Sequence, residues 1–270
     1  MRLTHVGGPT LLVETGGWRL LTDPTFDPPG RRYDFGWGTS SRKLTGPALT
    51  VEQLGRVDAV LLTHDHHGDN LDDAGRAVLG TAPTVLTTVA AADRLSRAGV
   101  VDPRAVVGLH PWSTTVLAAP GRSSLEVTAT PCRHGPPLSR PVVGDVVGFA
   151  VGPPGQADRG LWISGDTVLC RGVREAARRL RVDTAVLHLG GVRFPVTGPL
   201  RYSMTAHDVV RLCRTLTART IVPVHYEGWA HFREGRSAVE RVLDRAPGST
   251  ARRVRWLEPG VPTDTGSPRV

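Results

Sequence analysis

Apolar residues in this chain come in short runs of strand length, punctuated by turn formers. The runs are TLLVET (10–15), WRLLTD (18–23), DAVLLT (58–63), TVLTT (84–88), SLEVTATP (124–131), DVVGFAV (145–151), LWISGD (161–166), TAVLHL (184–189), TIVPVH (220–225) and RRVRWLE (252–258). Several are continuously apolar, the signature of strands covered on both faces. The Gly pair in TGG (15–17) marks a hairpin between the first two. Helical period appears near 70–80, 89–99, 172–181, 205–218 and 234–245; in the stretch 172–181, Val173, Ala176, Ala177 and Leu180 fall on one face and arginines on the other. Strands dominate the first third and alternate with helices later, which predicts an α/β domain with a pair of mixed sheets covered by helices.

Two segments, 26–47 and 190–205, are too long and too rich in Gly and Pro for tight connections, and are expected to be functional rim loops. Residues 1–258 are read as one domain and 259–270 as a frayed tail. The net charge is +8, with 33 basic residues of which only Lys43 is lysine. The arginines are scattered and lack interleaved aromatics for base stacking, so nucleic-acid binding is not expected. No apolar run approaches the roughly 20 residues of a membrane span, and no leader is visible, which predicts a cytoplasmic protein. Three widely spaced cysteines argue against a disulfide framework.

Candidate chemistry concentrates in LLTHDHHGDN (61–70), where His64, Asp65, His66, His67 and Asp69 follow a strand within six positions. Imidazole and carboxylate together suit Zn, Fe or Mn, and a strand end presents them from a rigid frame. His134, Asp166 and His225 each stand just beyond another predicted strand, so four strand ends are expected to converge on one crevice.

The order THDHHGD, TPCRHGP, SGDT and VPVHYEGW resembles the metallo-β-lactamase superfamily, and LLTDPTF (20–26) is similar to its lactonase-like branch, which includes ascorbate-6-phosphate lactonases. The resemblance spans nearly the whole chain. It implies an αββα sandwich with one or two metals along the sheet edge. The superfamily's His-x-His-x-Asp-His pattern does not fit from His64, because Gly68 and Asp69 stand where Asp and His are required; one inserted residue restores the register through His67-Gly68-Asp69-Asn70. The resemblance then implies His64, His67 and His134 as ligands of a first metal, and Asp69, Asp166 and His225 as ligands of a second, with Asp166 bridging. His66 is either an outer partner or the second ligand itself. Asn70 replaces an imidazole, so one strong zinc site and a weaker or absent second are expected, with Mn²⁺ or Fe²⁺ as alternatives.

The implied activity is hydrolysis of a small ester, lactone or phosphoester by zinc-activated hydroxide, zinc lowering the pKa of its water to about 7. Asp69 is the candidate to orient the nucleophile and carry its proton, and Tyr226 or His188 to assist the leaving group. Each of the last two has a packing alternative, as a wall residue and as a core histidine. Arg133, Arg193 and Arg201 are candidates to hold an anionic substrate. His110, His207 and His231 are read as structural, and Cys132 as a small buried thiol. The alternatives are a nuclease or RNA-processing enzyme of the same fold, for which no clamp segment is visible, and a metal-binding relic without activity.

Overall fold

The computed structural model describes residues 1–266. A continuously apolar strand divides its side chains between two cores, because successive residues point to opposite faces. Leu11 and Val13 enter one cluster and Leu12 another; Leu20 parts from Leu21 in the same way, and Ala59 and Leu61 from Val60 and Leu62. The first cluster, which also holds Phe149, Ile163, Val186 and Val222, lies between two sheets. The other packs the outer face of the first sheet under the helices Asp73–Thr81 and Val89–Arg97, through Val78, Leu79 and Leu95. A third covers the second sheet, where Ala150, Trp162 and Ala185 meet Val173, Ala176 and Ala177 of the helix Arg171–Arg179 and Val209 and Leu212 of the helix Ala206–Leu212. The layers therefore run helix, sheet, sheet, helix, as the resemblance implied.

The seven-stranded sheet is ordered Thr263–Asp264, Arg2–Gly7, Thr10–Thr15, Trp18–Thr22, Ala59–Leu61, Val85–Thr88, Val106–Leu109. The six-stranded sheet is ordered Thr220–Val224, Arg181–His188, Asp158–Ile163, Val147–Gly152, Leu125–Pro131, Thr114–Leu117. The strands preceding His64, His134, Asp166 and His225 all finish at one edge of this sandwich. Among the described residues no helix is long and apolar enough to cross a membrane.

Three expectations are corrected. The run 252–258 is not a strand: it makes a single parallel bridge, Ile221 to Val254, with Ile221 N–H donating to Arg253 O and Arg255 N–H to Ile221 O. The next ladder bond in that register needs an N–H from residue 223, which is proline and has none. The segment read as a tail from 259 contributes the strand Thr263–Asp264 to the first sheet, paired with Leu3 and Arg2; residues 267–270 lie outside the described residues. The rim segment 26–47 is not irregular: Arg32–Gly36 and Thr39–Arg42 form an antiparallel hairpin, with Trp37 and Gly38 at its turn both in the left-handed region.

Candidate metal centre

The apolar strand Ala59–Leu61 delivers His64 into a fully buried position, and the following loop is held from both sides. Asp65 accepts from Arg94 Nε at 3.0 Å and Nη2 at 2.6 Å, which ties the loop to the helix Val89–Arg97. His66 turns outward with Asp65. Its Nδ1 lies 3.4 Å from Asp65 Oδ1, and its ring fills the space where a Cβ on Gly144 would sit, 1.9 Å from that Cβ. His64, His67 and His134 converge instead: His67 Nδ1 is 3.4 Å from His64 Nε2 and 3.1 Å from His134 Nε2. The glycine at 68, between His67 and Asp69, has a physical reason, because a Cβ there would lie 2.4 Å from the Tyr33 ring of the hairpin.

Three imidazole nitrogens facing one another, with no carboxylate between them, form a poor hydrogen-bonding arrangement and a good metal cradle. Ligand atoms about 2.0–2.1 Å from a tetrahedral Zn²⁺ lie roughly 3.4 Å apart, the spacing seen here. Burial keeps the rings neutral, as ligation requires. It holds His64 well below the usual histidine range, His67 at about 3 and His134 at about 4. The remaining nitrogens of two rings are anchored, His64 Nδ1 by Thr63 Oγ1 at 3.1 Å and His134 Nδ1 by Tyr202 O at 2.8 Å. Such outer contacts fix ring orientation in metal sites.

Beside the triad, Asp69, Asp166 and His225 form a second buried group whose ligand atoms lie within 4.8 Å of one another. His225 Nε2 is 3.3 Å from Asp69 Oδ2 and 3.8 Å from Asp166 Oδ2. Asp69 Oδ1 and Asp166 Oδ1 are buried without hydrogen-bond partners. Burial alone would raise Asp69, but the bonds from His225 and His231 hold it well below the carboxylate range; burial raises Asp166. Burial opposes charge on His225 as well, yet Asp166 and Asp69 outweigh it and bring the ring to about 9. His225 sits at φ 58°, in the left-handed region, which turns its ring back over the sheet edge.

The other sequence candidates fall elsewhere. Tyr226 packs against Trp256, ring centroids 5.1 Å apart, and burial pushes its hydroxyl up to about 12; it does not line the cavity above the centre. His188 also lies off the cavity, fully buried, 3.5 Å from both Ser164 Oγ and Asp23 Oδ2, with burial bringing it to about 3. Both have the surroundings of their packing alternatives, and the structure does not bring either to the cavity lining beside His67, Asp69 and His134. Arg133, Arg193 and Arg201 do not line the cavity either. Asn70 turns away toward Asp23 and Thr63, with Nδ2 3.4 Å from Thr63 Oγ1. The residue that sequence reasoning missed is His231. It lines the cavity, and its Nε2 lies 3.0 Å from Asp69 Oδ2. Its signal was present in VHYEGWAHF, as a second imidazole six residues beyond His225 on the same rim loop.

Residues 18–226 match the model of the beta-lactamase superfamily domain, and the chain belongs to that family. It is similar to UPF0173 metal-dependent hydrolases of Caldivirga maquilingensis, 25% identical over 86% of this chain and 85% of the relative, and of Thermofilum pendens, 26% identical over 96% of each. The isothiocyanate hydrolase from Delia radicum gut bacteria shares the fold, with a TM-score of 0.78 at 22% identity over 98% of this chain and 99% of that one. Within the superfamily this protein is a metal-dependent hydrolase of the metallo-β-lactamase fold.

Proposed function

We propose that the substrate is a small, uncharged ester or lactone whose apolar part fills the cavity above the His64–His67–His134 triad. The observation that carries this reading is the lining of that cavity. About 270 Å³ in volume, it is walled by Phe35, Trp37, Leu138, Phe194 and Leu200, has His67, Asp69, His134, Asp166 and His231 in its lining, and includes no Arg or Lys. An anionic phosphoester there has no Arg or Lys to pair with and depends for charge compensation on the bound ion alone, whereas an apolar neutral substrate matches the walls. The neutral substrate proposed here is an alternative to the anionic one for which the rim arginines are candidates.

A divalent ion at the triad, for which three imidazoles favour zinc, supplies Lewis-acid polarisation of the carbonyl and acidifies water. Asp69 is placed to orient the attacking water, with Oδ2 held by His225 and His231. The buried rings of Phe35 and Phe194 offer an apolar surface against which the apolar part of the substrate packs. An isothiocyanate, the substrate class in the name of the structural neighbour from Delia radicum gut bacteria, is also small, neutral and electrophilic at carbon, and belongs in the same test.

The test is turnover by zinc-loaded protein of p-nitrophenyl esters, lactones, benzyl isothiocyanate and bis-p-nitrophenyl phosphate. A neutral substrate is expected to exceed the phosphodiester in kcat/KM by about 100-fold or more. Preference for the phosphodiester, or turnover of none of them, overturns the reading.

A further inference from the structure

We infer that His231 supplies the imidazole that Asn70 takes away from the second metal position, so that the chain holds two ions despite its altered motif. The inference rests on the reading of the site as a metal-dependent hydrolase centre, and concerns how many ions that centre carries and through which residues.

The first observation is the spacing. Asp69 Oδ2 lies 3.0 Å from His231 Nε2 and 3.3 Å from His225 Nε2, so one carboxylate oxygen and two imidazole nitrogens face one another on the same side of Asp69. These separations match those among the triad nitrogens, 3.1 and 3.4 Å. The second is the pair of buried carboxylate oxygens with no partner, Asp69 Oδ1 and Asp166 Oδ1. Leaving two such acceptors unsatisfied in the interior is costly unless a cation takes them up.

The third observation concerns how the ring is held. His64, His134 and His225 each face the centre through Nε2 while an oxygen holds Nδ1: Thr63 Oγ1 at 3.1 Å, Tyr202 O at 2.8 Å and Leu189 O at 3.4 Å. His231 repeats this construction, with Nδ1 2.5 Å from Ser41 Oγ and Nε2 toward Asp69. A histidine kept only for packing does not need its free nitrogen aimed at a shared carboxylate. Phe194 stacks on the ring at 13° between planes, and Phe35 stands edge-on to it, which fixes its plane.

The fourth is the reciprocal placement of Asn70. A neutral amide is a poor ligand, and here it faces the buried Asp23 carboxylate and Thr63. The imidazole has been moved from the loop after Ala59–Leu61 to the loop after Thr220–Val224. The hairpin strand Thr39–Arg42 makes this possible: Lys43 bridges Trp229, and Ala230 N–H donates to Arg42 O at 3.0 Å, so His231 and Ser41 are brought together by adjacent backbone pairing.

The experiment is zinc titration of the full chain, with bound metal counted by mass spectrometry and affinity measured by competition with a chelator, independently of any substrate. Wild type is expected to hold two zinc ions per chain. His231→Ala should retain the tighter ion and lose the other, its affinity falling by more than the 10- to 100-fold that loss of an outer partner costs. The double variant Asn70→His, His231→Ala should regain the second ion. With cobalt in place of zinc, the visible spectrum of His231→Ala should lose the contribution of one ion and that of the double variant should recover it.

A wild-type chain holding one ion, or His231→Ala holding two with unchanged affinity, overturns the inference. Should His231→Ala lose both ions, His231→Gln, which keeps much of the side-chain volume, decides. Loss of one ion by that variant supports the inference, whereas retention or loss of both overturns it. Failure of the ester and lactone screen with two ions bound would count against the substrate assignment and leave this inference standing.

Discussion

On one side of the cavity floor three imidazoles converge with no carboxylate among them; on the other, Asp69 and Asp166 face His225 and His231. The triad is assembled from two segments, His64 and His67 on one loop and His134 on another. The carboxylate side draws on three strand-end loops, with its second imidazole oriented by a separate hairpin through Ser41. The electrostatics differ as sharply. Burial keeps the triad neutral, whereas the other side carries compensating charge, with Asp69 held low and His225 at about 9. The triad has the ligand types and spacing of a cation site, while the carboxylate side combines a charged carboxylate with imidazoles that could also hold a cation. The position nearest the motif is the simpler, and the one that completes the chemistry depends on long-range contacts.

The widest separation between the two sides is expected from removing one ligand of the triad. His134→Ala should lower turnover on the order of 10³-fold and abolish tight metal binding, whereas His66→Ala should change metal affinity by no more than about 3-fold, because His66 faces Asp65 and Gly144. Equal losses in the two variants, measured by chelator competition, would erase the distinction between His66 and His67. Asp69→Asn should come next, with turnover down roughly 10²- to 10³-fold while the triad still holds its ion; a variant that loses its tight ion would place Asp69 in the first position and not beside it.

The hairpin gives a third test. Lys43 Nζ is paired with Asp72 Oδ2 at 2.8 Å, both buried, and Asp72 also accepts from the backbone N–H groups of Phe26 and Asp27. Removing one partner of a buried pair costs about 3–5 kcal/mol, so Lys43→Met should lower the melting temperature by roughly 10 °C. An unchanged melting temperature would show that the hairpin is held by its aromatic contacts with Trp229 and not by this pair.

The smallest expected effect is on the metal-free protein. An unfolded histidine titrates near 6.5, while the fold keeps His67 at about 3 and His134 at about 4. Their stabilisation is complete above pH 6.5 and drains away as pH falls toward those values, because only the unfolded chain takes up protons in that window. His64 and His188 act in the same direction. Asp23, raised to about 7, and Asp166, also raised, oppose the trend below pH 7, but they are fewer. His225, at about 9, contributes fully below pH 6.5 and loses its contribution as pH rises through 9. The chelator-treated protein should therefore melt roughly 5–10 °C lower at pH 4 than at pH 6.5. A melting temperature at pH 4 equal to or above that at pH 6.5 would contradict the neutral triad.

Most of the sandwich was legible in the chain, because continuous apolar runs such as DAVLLT and TIVPVH are what two-sided burial requires. The failures have local causes. RRVRWLE looks like a strand, and its pairing is cut short by one missing N–H on Pro223, a residue of its neighbour. The hairpin 32–42 was obscured by its Gly and Arg content; its stability comes from packing onto Trp229 and Phe194 more than from its own propensity. Tyr226 was suggested by adjacency to His225, but adjacency along the chain does not set direction: after the left-handed turn at His225, the next side chain packs in the helix-covered core.

The amino-acid sequence by itself determined the class of the centre. Imidazoles and carboxylates placed just beyond strands are carried to one sheet edge by the strands themselves, and the resulting ligand types follow from residue identity. Only the tertiary structure decided which histidines meet. Gly144 and Arg94 draw His66 and Asp65 away, Tyr33 claims the space above Gly68, and Ser41 turns His231 inward. Each of these choices is made by a partner between about 30 and 190 residues distant, and such contacts leave no periodic trace along the chain.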